Sequence, residues 1–125
     1  MATKKEIGAF GEDIAADFLV RRGYEILDRR YQTRGGEVDI IARKGPTIVF
    51  VEVKARTGAD FGLPEEAITW RKREKLLATA RWYLAEKGVE IEDYRIDSIA
   101  VEINRPAKRV KIRHRQNITY PGGGE

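Results

Sequence analysis

Cysteine is absent from the 125-residue chain, and histidine and methionine occur once each. Disulfides, thiolate metal sites and cysteine nucleophiles are therefore excluded, which points to oxygen ligands for any metal. Long apolar runs are also missing. The longest strongly apolar stretch, residues 48–51, is far short of the roughly 20 residues of a membrane span. Because the chain turns polar directly after Met1, we expect no secretion signal, no membrane partner and a cytoplasmic location.

The chain is rich in charged residues. Charged residues make up 35% of it and hydrophobic residues 42%, which is enough apolar material for one core beneath a highly charged surface. The length predicts a single domain, which we place at residues 1–120, with a flexible tail at 121–125. Lys and Arg number 24 against 20 Asp and Glu, a net charge of +4. This mild excess is compatible with a polyanionic partner.

Hydrophobic periodicity predicts seven elements. A capping box at Thr3 and Glu6 opens a helix with apolar residues at helical spacing, and β-branched and aromatic runs separated by Gly and Pro follow it. The predicted elements are a helix ending at Gly23, strands at 24–27, 37–43 and 47–54, a helix from about Ile68 to Gly88 with a break near Thr69, and strands at 94–103 and 109–115. The order α-β-β-β-α-β-β predicts an α/β fold, with helices flanking a mixed central sheet.

Two acidic residues are predicted to meet on neighbouring strands. Alternation of side chains places Glu52 and Lys54 on one face of the third strand, opposite its valines. On the second strand it places Asp39 on the same face as Glu37 and Ile41, opposite residues 38, 40 and 42. A hairpin centred on residues 45–46 pairs positions whose numbers sum to 91, so Asp39 lies across from Glu52. A two-residue Gly-Pro turn is not a favoured hairpin type, so we expect a longer loop. A four-residue loop at 44–47 keeps the same pairing, whereas an odd-length loop without a bulge would shift the register by one residue and separate the carboxylates.

Like charges in directly opposed positions destabilise a sheet unless something neutralises them. A divalent cation would do so, held by Asp39, Glu52 and the Val53 carbonyl, because Mg²⁺ takes one or two carboxylates with further oxygen ligands. Lys54 beside it could orient or help deprotonate an attacking water. The alternative is an exposed polar face with a cross-strand ion pair, and the spacing alone leaves both interpretations open.

The ordered combination of Asp39 and then Glu52-Val53-Lys54, after a helix that bears Glu12, resembles the PD-(D/E)XK nuclease superfamily. More closely, GE at 11–12, AA at 15–16, GEVDIIA at 36–42 and FVEVKAR at 50–56 resemble the YraN-like family of small nuclease-like proteins. The similarity runs from about residue 5 to residue 120. The proline that gives the superfamily its name is replaced by Val38, a change that removes no ligand.

The resemblance implies a restriction endonuclease-like core in which Asp39 and Glu52 hold Mg²⁺ or Mn²⁺ and Lys54 lies near the attacking water. Archaeal Holliday-junction resolvases share this layout, including a glutamate on the first helix. By that analogy Glu12 is a catalytic residue that assists the metal through water or through a site side chain. By its position beside the apolar stripe, Glu12 could equally be a solvated helix residue.

Basic residues flank the proposed site. Those at the start of the second helix could bind phosphates without reading sequence, or form a solvated helix face. Arg29, Arg30 and Arg34 surround Tyr31, which offers a stacking surface for an unpaired base. Trp70 and Trp82 are interpreted as core residues and His114 as a packed strand residue. The candidate nucleic-acid contacts are Arg34, Arg56, Arg71, Lys72, Arg73 and Lys75.

The leading hypothesis is a metal-dependent endonuclease that hydrolyses DNA phosphodiester bonds, with a structure-selective role in repair or recombination. Its partner would be DNA, branched or single-stranded, and cleavage of a four-way junction would predict a homodimer because two cuts are needed. The alternative is a nucleic-acid-binding module on a nuclease scaffold that cuts little or not at all. A structural domain with no nucleic-acid role is a third hypothesis.

Overall fold

The computed structural model describes residues 2–58, 69–88 and 93–118. The predicted order of elements is confirmed. Ile68 and the predicted tail at 121–125 lie outside the described residues, and the boundary at residue 120 stays a prediction. The elements are α1 (Lys4–Arg21), β1 (Glu25–Thr33), β2 (Gly36–Lys44), β3 (Thr47–Thr57), α2 (Trp70–Glu86), β4 (Tyr94–Asn104) and β5 (Arg109–Arg115).

The five strands form one sheet in the order β1-β2-β3-β4-β5. Three neighbouring pairs are antiparallel, whereas β3 and β4 run parallel, from Ile48 opposite Tyr94 to Thr57 opposite Ile103. The sheet is therefore mixed, as predicted. A parallel pair needs a crossover connection, and α2 lies within it. Among the described helices, none is long and apolar enough to cross a membrane.

Helix α1 packs closely on one face of the sheet. The Thr3 hydroxyl accepts from the Glu6 N–H at 3.1 Å, and the Glu6 carboxylate accepts from the Thr3 N–H at 2.9 Å, so the predicted capping box is present. Ala15 and Leu19 are fully buried in a core shared with β2, β3 and β4. A side-chain carbon built on Gly11 would lie 2.3 Å from Cβ of Ala55, so only glycine permits this approach.

Helix α2 covers the other face. Thr69 caps it by accepting from the Lys72 N–H at 3.2 Å, so the helix begins at Trp70, just after the predicted break. The buried apolar residues of the helix pack with residues of β2, β3 and β4, and they are Leu76, Ala80, Tyr83 and Leu84. The two tryptophans turn away from this core, with Trp70 61% and Trp82 62% exposed. Their prediction as core residues is therefore wrong.

A buried polar cluster lies on the α1 side of the sheet around Asp97, which is fully buried. Its carboxylate accepts from Arg95 Nε at 3.0 and 3.2 Å and from the Asn117 N–H at 2.9 Å, and it lies 2.8 Å from His114 Nε2. His114 also meets the Phe18 and Tyr24 rings edge-on, which confirms its prediction as a packed strand residue.

The hairpin between β2 and β3 has the predicted register. Pairs run from Lys44 opposite Thr47 to Ile40 opposite Val51, and their numbers sum to 91. The turn contains only two residues, so the expectation of a longer loop is wrong. Gly45 adopts φ +57°, which the first central position of a type II′ turn requires. Because of this register, residues 39 and 52 lie at the same end of the paired segment.

Strand β2 departs from regular alternation next to Asp39. Val38 packs in the α2-side core with Ile41, whereas Ile40 packs in the α1-side core. The prediction that Val38 shares a face with Ile40 is therefore wrong. The departure coincides with Arg30 on β1, which lies between the Arg29–Ile40 and Tyr31–Val38 pairs. The backbone of Arg30 is in the left-handed region, with φ +54°. Asp39 sits at this irregularity.

Candidate active site

Asp39 is fixed by the backbone of the neighbouring strand. Its Oδ2 accepts a hydrogen bond from the Val53 N–H at 2.8 Å. The contact lies just beyond the last regular pair of the hairpin, Ile40 with Val51, where the carboxylate replaces a backbone carbonyl as the acceptor. It holds the Asp39 side chain beside Glu52, so the two predicted acids converge.

Glu52 and Lys54 extend from β3 toward α2. Phe50, two residues earlier on the same face, packs in the α2-side core, while Val49, Val51 and Val53 pack on the α1 side as predicted. Glu52 is only 9% exposed. Lys72 from the first turn of α2 places its Nζ 3.7 Å from Glu52 Oε2.

These side chains line one cavity, which we call the carboxylate cavity. Its volume is about 300 Å³, and it opens between β2, β3 and the N-terminal half of α2. The predicted residues Asp39, Glu52, Val53 and Lys54 all contribute to its wall. The complete lining consists of Gly36, Glu37, Asp39, Glu52, Val53, Lys54, Lys72, Lys75 and Leu76.

The environment of Asp39 favours its neutral form. Burial, a hydrogen bond with Glu52 and the charge of Glu52 raise the pKa of Asp39 to about 8, against the opposing effect of the Val53 N–H. The cause is the crowding of two carboxyl groups in a poorly solvated place, where both cannot ionise without a cation. Perturbed carboxyl pairs of this kind are typical of functional sites.

Lys54 is perturbed in the complementary direction. A hydrogen bond with the Lys72 side chain, burial and the charge of Lys72 lower the pKa of Lys54, and the charges of Glu52 and Asp39 partly oppose them. A lysine with a lowered pKa has a larger neutral fraction near neutral pH, and only the neutral amine can accept a proton.

The donor set fits a hard divalent cation of the Mg²⁺ type. Asp39 and Glu52 both line one cavity, and Val53, whose carbonyl is the third predicted donor, belongs to the same wall. Among residues 2–58, 69–88 and 93–118, no group of three or more His, Asp or Glu side chains is arranged to hold a metal. Mg²⁺ needs no such group, because it commonly takes one or two carboxylates and keeps several waters.

Glu12 occupies a different environment. It is 6% exposed, so it is not a solvated helix residue, and the lining of the carboxylate cavity does not include it. Its Oε1 accepts from Arg29 Nε at 3.0 Å, and its Oε2 accepts from Arg30 Nε at 3.5 Å. These arginines lie on β1 alongside the irregularity at Asp39. Glu12 therefore contacts the strand next to the site, and its catalytic role stays a prediction.

The predicted basic contacts divide into groups. Lys72 and Lys75 line the carboxylate cavity, and Arg34 lines a second hollow beyond the turn between β1 and β2. Arg56 and Arg73 are half-buried, and Arg71 is exposed. The sequence indicated Lys72 only as a phosphate contact, whereas the fold places it within ion-pairing distance of Glu52. Nothing local in the sequence specifies how the first turn of α2 docks on β3.

The comparison with known proteins gives a family for this chain. The family described as "Uncharacterised protein family UPF0102" matches residues 11–101. A UPF0102 protein of Alkaliphilus oremlandii is 41% identical over 113 residues, which cover 90% of this chain and 97% of that protein. The chain belongs to the UPF0102 family. UPF0102 is the YraN-like family indicated by the motifs, so that prediction is confirmed.

Other UPF0102 proteins match this chain over similar lengths. The protein of Clostridium botulinum strain Loch Maree is 48% identical over 101 residues, covering 80% of this chain and 82% of that protein. The protein of Syntrophotalea carbinolica is 44% identical over 116 residues, covering 93% and 89%. The family match begins within α1 and continues through the carboxylate cavity and most of β4, so the candidate site lies inside the matched segment.

Proposed function

We propose that this protein is a metal-dependent endonuclease that hydrolyses DNA phosphodiester bonds. The observation that carries the proposal is the convergence of Asp39 and Glu52 in one cavity with Lys54, next to the Lys72 ammonium. Two carboxylates that can hold a divalent ion, a lysine with a lowered pKa and a neighbouring second lysine can together support phosphodiester hydrolysis, and the resemblance to PD-(D/E)XK nucleases implies the same chemistry at Asp39, Glu52 and Lys54.

Lys54 is the proposed general base. Water attacks phosphorus as its proton passes to the neutral Nζ of Lys54, and the bond from phosphorus to the opposite ester oxygen breaks in line. The leaving oxygen then takes a proton from solvent. The lowered pKa of Lys54 supports this role, because a lysine with an ordinary pKa would be almost fully protonated near neutral pH.

Lys72 and Lys75 are the proposed phosphate-binding residues inside the cavity. The Lys72 side chain lies beside Glu52, where it can offset negative charge that develops on the phosphoryl oxygens. Lys75 lies one helical turn further along the same wall, where a neighbouring phosphate of the strand would pass. Neither contact reads a base, so binding at these residues is expected to be independent of sequence.

Asp39, Glu52 and the Val53 carbonyl would hold the Mg²⁺ or Mn²⁺ ion. When bound, the ion supplies charge neutralisation at the attacked phosphate and lowers the pKa of the attacking water. The Val53 N–H, bound to Oδ2 of Asp39, holds that carboxyl group beside Glu52 for this purpose. The ion would also remove the repulsion that now favours the protonated form of Asp39.

The test is cleavage of labelled linear, flapped and branched DNA by purified protein with Mg²⁺ or Mn²⁺. We expect Asp39→Ala and Lys54→Met each to reduce the rate at least about 100-fold. Asp17→Ala, which changes an exposed acid on α1, should leave the rate unchanged. Equal cleavage by the wild type and by Asp39→Ala would assign the activity to a contaminant and refute the proposal.

A nucleic-acid-binding module that does not cut is the second candidate. It is favoured by the small donor set, because two carboxylates of which one is readily protonated bind Mg²⁺ weakly. Calorimetry separates the candidates. Mn²⁺ binding that disappears in Glu52→Gln supports the nuclease, whereas DNA binding without any association of Mn²⁺ or Mg²⁺ supports the module.

A further inference from the structure

A second hollow lies beside the carboxylate cavity, and we call it the Trp82 hollow. It has a volume of about 490 Å³ and is mostly apolar, with one guanidinium at its side. Trp82 forms part of its wall while remaining 62% exposed, so its ring is accessible to a ligand in the hollow. The lining consists of Thr33, Arg34, Gly35, Ala78, Thr79 and Trp82.

The two depressions follow one side of α2. Lys72, Lys75, Thr79 and Trp82 are spaced by three, four and three residues, which keeps them on one stripe of the helix. The close contact of Gly36 with Thr79 divides the depressions, since a side-chain carbon on Gly36 would lie 2.8 Å from Thr79 Oγ1. Lys75 and Trp82 are separated by roughly 10 Å along the helix axis, or about three base steps of a stacked strand.

The chemistry of the Trp82 hollow suits a nucleobase. An indole face and a guanidinium plane are the groups on which unpaired bases stack, irrespective of sequence. Tyr31, the stacking residue indicated by the sequence, is already engaged: its hydroxyl donates to Glu86 Oε1 at 2.8 Å and its ring packs edge-on against Tyr83. Trp82 therefore takes the place that the sequence assigned to Tyr31.

We propose that the Trp82 hollow binds an unpaired base of the same nucleic-acid strand whose phosphate enters the carboxylate cavity. The substrate class is thus DNA with a single-stranded segment a few nucleotides from the cut, such as a flap. This inference rests on the proposed function for the placement of the phosphate. Arg34, Lys72 and Lys75 form a cationic path from the hollow to the cavity, which favours a polyanion with flat rings over an apolar peptide.

Fluorescence tests the inference without catalysis. The chain has two tryptophans, so Trp70→Phe leaves Trp82 as the sole indole and Trp82→Phe leaves Trp70. Each variant is titrated with a single-stranded oligothymidylate of twelve nucleotides, in a low-salt buffer that contains EDTA. We expect strong quenching in Trp70→Phe and little in Trp82→Phe, with a duplex of equal length quenching Trp82 weakly. Equal quenching of both tryptophans, or none of Trp82, would overturn the inference.

Affinity gives the second measurement. Trp82→Ala should weaken oligothymidylate binding about 5- to 100-fold, the range for loss of one stacked base. Trp70→Ala should change it less than twofold, although Trp70 is equally exposed on the same helix. Circular dichroism and urea unfolding establish that both variants are folded. Unchanged affinity in folded Trp82→Ala would refute the inference.

Failure of the inference and failure of the proposed function give different results. If the wild type cleaves flapped DNA in an Asp39-dependent way and Trp82→Ala cleaves flap and duplex in the wild-type ratio, the proposed function stands and the Trp82 hollow is not a base site. If the wild type cuts nothing while Trp82 is quenched by oligothymidylate, base binding stands and hydrolysis is refuted.

Discussion

The two faces of the sheet bury acidic residues in opposite ways. On the α1 face, Asp97 is fully buried and receives hydrogen bonds from Arg95, His114 and the Asn117 backbone. On the α2 face, Asp39 has the Val53 N–H as a donor and faces a second carboxylate across a cavity. The protein itself supplies the hydrogen-bond donors for the Asp97 carboxylate, whereas the surroundings of Asp39 do not offset the charge of two neighbouring carboxylates.

The difference teaches which acid serves the fold and which serves a ligand. A buried carboxylate surrounded by fixed donors stabilises the structure that supplies them, and losing it leaves those donors unpaired. A carboxylate kept beside another carboxylate costs stability until a cation arrives. The same residue type should therefore give mutational effects of opposite sign on the two faces.

The largest expected effect is on the α1 face. Asp97→Ala should lower the free energy of unfolding by about 4 kcal/mol, because it leaves Arg95 and His114 without their buried acceptor. Urea unfolding followed by circular dichroism measures the change. Asp17→Ala, at an exposed ion pair with Arg21, should cost less than about 0.5 kcal/mol. Similar losses in the two variants would remove the distinction between the faces.

The close packing of α1 gives the next effect. Gly11→Ala should cost about 3 kcal/mol, since the added carbon would lie 2.3 Å from Cβ of Ala55. Gly8→Ala is the matched control on the same helix: nothing lies within 4 Å of its added carbon, so the variant should gain about 1 kcal/mol from helix propensity. Thermal unfolding of both proteins decides the point, and a tolerated Gly11→Ala would mean a looser α1 face.

On the α2 face the sign should reverse. The pKa of Asp39 is about 8 when folded against an ordinary 3.8, so the folded state keeps a proton that the unfolded chain has lost. Stability therefore falls as pH rises from 3.8 to 8. Without metal, Asp39→Asn should exceed the wild type by about 2 kcal/mol near pH 8.5 and match it near pH 4. A constant difference across urea melts at these pH values would contradict the charge crowding.

The smallest effect is a change in titration alone. Lys72→Met removes the neighbour that lowers the pKa of Lys54, so that pKa should rise toward its ordinary value. Carbon-13 resonances of labelled lysine followed through an alkaline titration measure it, with Lys54→Met used for assignment. Lys111→Met, at an exposed position on the distant strand β5, should leave the Lys54 titration unchanged. An unaltered midpoint in Lys72→Met would place the perturbation elsewhere.

The parts of the site that follow from local rules could be predicted from the sequence. Strand alternation predicted the face that Glu52 and Lys54 share, and a hairpin centred on residues 45–46 predicted the register that brings Asp39 to Glu52, whereas the length of the turn stayed open. The element order also followed, because capping residues and glycines mark most of the boundaries. These features depend on neighbours within about 15 residues.

What escaped prediction depends on the docking of distant segments. The position of Lys72 beside Glu52 is set by the approach of α2 to β3, and the face of Val38 by the left-handed backbone at Arg30 on another strand. The exposure of Trp82 had no local signal, since an aromatic residue at helical spacing usually belongs to the core. In each case tertiary packing overrides an intrinsic preference.

The single parallel seam between β3 and β4 has a kinetic consequence. Its register joins residues 46 positions apart in the chain, as Ile48 with Tyr94 shows, while every other strand pair joins neighbours in sequence. Strands that are close in sequence pair faster than strands that are far apart. The β1–β3 meander and the β4–β5 hairpin should therefore form before β3 pairs with β4. Glu52 and Lys54 lie on that late seam. A half-folded chain would thus have the acids and the lysine in place locally but lack the walls that make them reactive.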